Sequence, residues 1–152
     1  MESKEIILNH INEQDEELSY IAKEIWDHPQ IGLQETFASK LLAEKLEEQG
    51  FDITWGAGGM PTAFVAEWGE GSPIIGFLGE YDALPGLSQE VGTVKSPIES
   101  GGPGHGCGHN LFGTACMGSV VALKEAMQAN DISGTIRFYG CPAEETLVGK
   151  TY

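Results

Sequence analysis

His105, Cys107 and His109 fall within five consecutive residues of the stretch Gly101-Gly-Pro-Gly-His-Gly-Cys-Gly-His-Asn110. Imidazole and thiolate are the side chains that borderline-soft divalent metals prefer. On one α-helix, residues two apart diverge by about 200°, so Cys107 and His109 could not converge on a point from a helix. From a turning segment they can, and the interleaved glycines allow the turns. The stretch reads as a rigid ligand loop that runs into the apolar segment Leu111 to Met127. An ordinary strand-to-helix connection with a small buried cysteine would look similar. One such cluster also falls short of the three or four protein ligands that zinc takes.

A second chemical pair, Glu144-Glu145, follows Cys141-Pro142-Ala143. Adjacent side chains point in different directions, so one carboxylate can ligate a metal while the other faces the attacking water. A divalent metal lowers the pKa of water and polarises a scissile carbonyl, and a nearby carboxylate shuttles the proton. The bland alternative is a solvated acidic turn. Glu80 and Asp82 are two apart at the end of an apolar run. Asp82 either orients a metal ligand as a hydrogen-bond acceptor or starts a turn before Leu84-Pro85, and the residues alone leave both readings open. His10 and His28 are expected at surface or turn positions, Cys116 in the core, and Cys141 as a buried thiol without a role.

The elements that must carry these groups follow from periodicity. Ile7, Ile11, Leu18, Ile21 and Ile25 predict one helical face over residues 3–27, ended by His28-Pro29. Thr36 can cap a second helix carrying Phe37, Leu41, Leu42 and Leu46, and Gly50 sits where a left-handed C-terminal residue belongs. Thr62 to Trp68 alternates like a strand, and Ile74 to Leu78 is a continuous run of the kind buried on both faces. Residues 86–104 form a long irregular loop, which points to function. The apolar helix that follows carries Gly113, Ala115, Gly118 and Ala122 as close-packing positions, and Gly134 to Tyr139 is another buried strand. Strand, connection, helix, strand predicts an α/β fold with a mixed, largely parallel sheet flanked by helices. Active sites in such sheets gather at the carboxyl ends of strands, which is where Glu80/Asp82, the ligand loop and Glu144/Glu145 fall.

Length and composition fit one soluble domain: 152 residues, 41% apolar and 20% charged. A net charge of −15 argues against nucleic acid and anionic membrane as partners. No apolar run reaches the ~20 residues of a membrane span, and the polar, acidic N-terminus is unlike a signal peptide, so a cytoplasmic location is expected. Three cysteines at unrelated spacings do not make a disulfide framework. A phosphate-binding loop is not supported, because no Gly-Lys-Ser/Thr sequence or Gly-x-Gly-x-x-Gly fingerprint follows a strand. A Cys107 nucleophile paired with His105 or His109 is disfavoured by the two-residue spacing. A closed zinc-stabilised binding module would need more Cys and His than the chain offers.

Gly79-Glu-Tyr-Asp-Ala-Leu-Pro-Gly86, Gly104-His-Gly-Cys-Gly-His-Asn110 and Pro142-Ala-Glu-Glu145, in that order, resemble the amidohydrolase branch of the aminoacylase/carboxypeptidase zinc metallopeptidase family. The resemblance implies a zinc-peptidase/phosphorylase-hydrolase-like catalytic domain, incomplete in this chain. It also implies hydrolysis of the amide bond of an N-acyl amino acid or dipeptide at two divalent metal ions, zinc or manganese. Carried over by position, Cys107, His109 and Glu145 would be metal ligands, with Cys107 a bridging thiolate. Glu144 would be the general base and Asp82 the supporting acid, while His105 matches a motif position without a role. Family chains are about twice this length or more. Residues 1–152 are therefore expected to be the N-terminal portion of the catalytic domain, lacking its C-terminal half and the dimerisation domain, and to be inactive alone. The full-length form is expected to be a homodimer, or a hetero-oligomer with a paralogous subunit. A non-catalytic metal-binding or regulatory fragment is the alternative.

Overall fold

The computed structural model describes residues 1–146 and 149–151. Four helices, α1 (Ser3–Glu13), α2 (Asp15–Asp27), α3 (Thr36–Glu48) and α4 (His109–Ala129), accompany four strands. These are β1 (Asp52–Trp55), β2 (Phe64–Glu70), β3 (Ile74–Glu80) and β4 (Gly134–Cys141). The sheet order is β1-β2-β4-β3. β3 pairs with β4 in parallel, whereas β2 pairs antiparallel with both β4 and β1. The sheet is mixed, as expected, but it is not largely parallel: among the described residues two of its three strand pairings are antiparallel, and its parallel pair is the β3-α4-β4 crossover predicted from the strand–helix–strand pattern.

The N-terminal helical segment differs from expectation. It is two helices broken at Gln14, whose φ of −95° and ψ of 6° leave the helical region. Asp15, Glu16 and Glu17 then occupy the first turn of α2, where negative charge complements the exposed N–H groups. The break lets α1 and α2 each lay an apolar face on α4. At the start of α3, Thr36 is the first helical residue and not the cap. Glu35 holds the cap position and turns its side chain away from the helix. The α3 terminus is as expected: Gly50 has φ +83°, and the Gly50 and Phe51 N–H groups bond back to the Glu47 and Leu46 carbonyls.

The core lies between the helices and one sheet face, where Phe64, Phe138 and Tyr81 stack beneath Ile21, Ile25, Leu42 and Val120. Gly113 permits the closest α4–β3 approach, because a Cβ there would stand 2.6 Å from the Glu80 carbonyl oxygen. Gly118 plays the same part against Leu18, Ala122 is fully buried, and Ala115 is exposed. The expectation that Ile74 to Leu78 is buried on both faces fails. β3 is an edge strand, and Ile74, Ile75 and Leu78 are about half exposed. An apolar run records what a strand can bury, not whether its neighbours are there to bury it.

Candidate metal and acid–base site

Three segments meet at the carboxyl ends of the parallel pair: the exit of β3, the N-terminus of α4 and the turn after β4. Their meeting is fixed by the backbone. Ala83 and Leu84 leave β3 and bond to Gln30 and Gly104, so the strand exit clamps the far end of the 86–104 loop. Gly104 lies against the Leu87 carbonyl so closely that a Cβ would overlap it. Gly104→Ala must push backbone against backbone. We expect it to cost about 1–3 kcal/mol in a urea titration and to loosen the loop before Cys107.

His109 is the hub. Its side chain is buried, and its Nδ1 stands 2.9 Å from Asp82 Oδ1 and 3.1 Å from the Asp82 carbonyl oxygen. With the Nδ1 proton donated to Asp82, the Nε2 lone pair faces the cluster. Nε2 lies 3.2 Å from Glu80 Oε2, 3.7 Å from Glu144 Oε2 and 3.9 Å from Glu145 Oε1. The bond to Asp82 pushes the imidazole above its ordinary pKa, partly opposed by burial and reinforced by the surrounding carboxylates. Burial pushes the Asp82 carboxyl up, but the His109 bond and the Glu145 backbone N–H outweigh it and leave it below the ordinary value.

Asp82 is fully enclosed and uses both oxygens. Oδ1 takes the His109 proton, and Oδ2 accepts the Glu145 N–H at 2.9 Å. Its carboxylate therefore holds one ring and one stretch of backbone at once. The two glutamates after β4 both approach His109, from two overlapping sets of groups. The Glu145 carboxylate gathers with Cys107 and His109, and that of Glu144 with Glu80 and His109, each set with ligand atoms within 4.8 Å of one another. Lys150 donates to Glu80 Oε1 at 2.6 Å and pairs with Glu144 Oε1 at 3.0 Å, neutralising part of this charge.

A divalent cation fits this arrangement. Glu145 Oε1 is buried and has no hydrogen-bond donor among the described residues. Three carboxylates surround the Nε2 of a single imidazole, at 3.2, 3.7 and 3.9 Å. Cys107 is exposed, and its thiol is held above the ordinary pKa first by Glu145, then by burial and the other nearby acids. A metal bound by the thiolate would replace that proton.

His105 does not join the cluster. Its Nε2 donates to the Ile25 carbonyl at 3.1 Å, and burial lowers its pKa to about 4, so it ties the loop to the end of α2 as a neutral ring. Cys141 is buried beside the site, and Cys116 is half-buried against the Leu78 carbonyl.

Glu35 was not among the candidates read from the sequence. It is fully buried, with Oε1 accepting the Ala143 N–H at 2.8 Å and Oε2 accepting from Thr62 Oγ1 at 3.0 Å. Desolvation holds its carboxyl above the ordinary 4.5, against the lowering effect of these bonds. The folded chain then binds this proton more tightly than the unfolded chain does. The stabilisation is complete below pH 4.5 and is lost as pH rises through the folded value. Urea midpoints of Glu35→Gln and the parent, compared from pH 4.5 to 8, should shift in favour of the variant as pH rises. A constant difference would refute this.

No protein-family model matches the chain. It is 47% identical over 133 residues to one of the subunits of the p-aminobenzoyl-glutamate hydrolase of Escherichia coli, covering 87% of this chain and 28% of that protein. It is 31% identical over 156 residues to the Xaa-Arg dipeptidase of Homo sapiens, covering 92% and 32%. A solved Bacillus subtilis protein, described as a dinuclear metal binding peptidase from the M20 family, superposes with a TM-score of 0.67 at 25% identity. That likeness takes in 97% of this chain and 38% of the other. In sequence and in fold the chain is similar to the amidohydrolase branch of the aminoacylase/carboxypeptidase (M20) metallopeptidases, and it spans about a third of the length of those relatives.

Proposed function

We propose that this chain is the N-terminal portion of the catalytic domain of a metal-dependent amidohydrolase. The reaction is hydrolysis of the amide bond of an N-acyl amino acid, such as aminobenzoyl-glutamate, or of a dipeptide. The observation that carries the reading is the convergence of Cys107, His109 and Glu145 beside a second set that contains Glu144. Cys107, His109 and Glu145 would hold zinc or manganese, with the Glu80 side available to a second ion. When bound, the metal supplies Lewis acidity to the substrate carbonyl and to water. Glu144 takes the proton of the attacking water at a carboxylate oxygen and returns it to the leaving nitrogen. Asp82 keeps the His109 Nδ1 proton in place, so that Nε2 stays a donor of electrons, and it fixes the Glu145 backbone. Thiolate favours zinc, whereas the carboxylates tolerate manganese.

The length of the relatives supports a reading in which further ligands, substrate contacts and a dimerisation domain belong to a longer assembly. That assembly would be a homodimer, or a complex with a paralogous subunit, since the E. coli relative is itself named as one subunit of its enzyme. Among the described residues no helix is long and apolar enough to cross a membrane, and a cytoplasmic setting fits the free cysteines.

The test is amide hydrolysis. This chain, extended by the remaining two-thirds of the E. coli relative, should release glutamate from p-aminobenzoyl-glutamate only with zinc or manganese. Glu144→Gln should lower kcat by about 100-fold or more, the range general acid–base groups contribute, while metal content stays normal. The chain alone should be inactive. Unchanged turnover in Glu144→Gln, or no metal-dependent hydrolysis by the extended protein, would overturn the proposal.

A further inference from the structure

Glu35 is a carboxylate placed where a carboxylate is costly. It is fully enclosed and lies at the cap position of α3, yet it makes no side-chain bond to that helix's N–H groups. A buried acid without a partnering cation is expensive unless hydrogen bonds satisfy it. Here those bonds reach across the fold. Oε1 takes the N–H of Ala143, 108 residues away in sequence, and Oε2 takes the hydroxyl of Thr62.

Ala143 is the pivot of the turn that presents Glu144 and Glu145. It sits at φ +56°, in the left-handed region that a Cβ disfavours. Gly32 leaves room for it, because a Cβ on Gly32 would stand 3.0 Å from the Ala143 Cβ. Downstream, Thr146 N and Oγ1 bond back to the Ala143 carbonyl, and Asp82 takes the Glu145 N–H. The two carboxylates of the site therefore hang from a strained turn with Glu35 behind its first N–H and Asp82 behind its third.

We infer that Glu35 is a positioning residue, which acts through the Ala143 N–H to hold the Glu144 and Glu145 carboxylates where the site needs them. The inference rests on the metallohydrolase reading for the purpose of that placement, but the placement itself can be measured without metal. A helix-start acid with a merely global stabilising role would let every amide loosen together. A positioning residue would free the turn alone.

The experiment uses Glu35→Gln, Glu35→Leu and Glu35→Asp in the metal-free chain, with amide hydrogen exchange read residue by residue by NMR. In Glu35→Gln the amide oxygen replaces Oε1 and the NH2 faces Thr62 Oγ1, so exchange at Ala143 and Glu145 should stay within about threefold of the parent. In Glu35→Leu protection at both amides should fall by about tenfold or more, the scale of one buried hydrogen bond, while Ile136 and Phe138 in β4 keep theirs. Should the leucine variant fail to fold, Glu35→Asp, one methylene too short for Ala143, gives the same readout. Unchanged protection at Glu145, or an equal loss throughout β4, overturns the inference.

A cobalt(II) titration, followed by thiolate-to-cobalt absorption, separates the two readings. The parent and Glu35→Gln should bind alike. Glu35→Leu and Glu35→Asp should bind about 10–100-fold more weakly, as loss of an outer support does elsewhere. Equal binding by all four proteins would also count against Glu35. A parent chain that binds no cobalt would show that this portion alone does not hold the metal, and would leave the exchange data to decide the role of Glu35.

Discussion

Zinc retained by the purified chain after dialysis should fall by about 100-fold or more in a Cys107→Ser, His109→Ala double variant, because both replacements remove first-choice zinc ligands. The single variants should divide the effect in an informative way. Cys107 is exposed, so Cys107→Ser should cost almost nothing in urea stability while weakening zinc strongly. His109→Ala leaves Asp82 Oδ1, itself fully enclosed, without its donor. It should therefore lose metal and also about 1–3 kcal/mol of stability. Elemental analysis beside circular dichroism reads both quantities. Full zinc content in the double variant would place the metal elsewhere, and His10→Ala, on α1 and outside the site, serves as the matched control.

Asp82→Asn is the second large effect, and its logic is one of donors and acceptors. The aspartate offers two acceptor oxygens to two donors, the His109 ring and the Glu145 backbone. Asparagine has one acceptor and an NH2 group. If its oxygen serves His109, its NH2 confronts the Glu145 N–H; if it serves Glu145, the ring loses the contact that fixes its tautomer. We expect about 1–3 kcal/mol of destabilisation and metal affinity about 10–100-fold weaker, although no proposed ligand has been touched. Asp82→Ala should be worse on both counts. A normal zinc affinity in Asp82→Asn would show that the His109 ring does not depend on this contact.

What the sequence revealed of this site follows from chemistry that is local in the chain. Two histidines and a cysteine among glycines, or two adjacent glutamates after an apolar strand, are unusual enough to be noticed one segment at a time. The strand–helix–strand order then indicated that they could meet. Glu35 gave no such signal, since an acid beside Thr36 at a helix start usually serves the helix or the solvent. Only the fold reveals that its partner lies at Ala143. The split at Gln14 was hidden for a related reason: an apolar period continued through it, and the break depends on how two helices share the surface of α4. β1, four residues with mostly exposed side chains, has too short and too polar a pattern to announce itself. The half-exposed side chains of β3 show the opposite error, a strong local pattern in a strand that lies at the edge of the sheet.

The contacts that assemble the cluster span long stretches of chain: Asp82 to His109, Asp82 to Glu145, and Glu35 to Ala143. Closing such loops is the slow part of folding, and parallel pairing of β3 with β4 must wait for the α4 crossover between them. The ligands are therefore gathered late, after the hairpin of β1 and β2 and after the helices can form. A metal ion offered to the unfolded chain has no preformed seat to nucleate around. It should slow unfolding far more than it speeds refolding, acting as a lock on a finished structure and not as a template for building it.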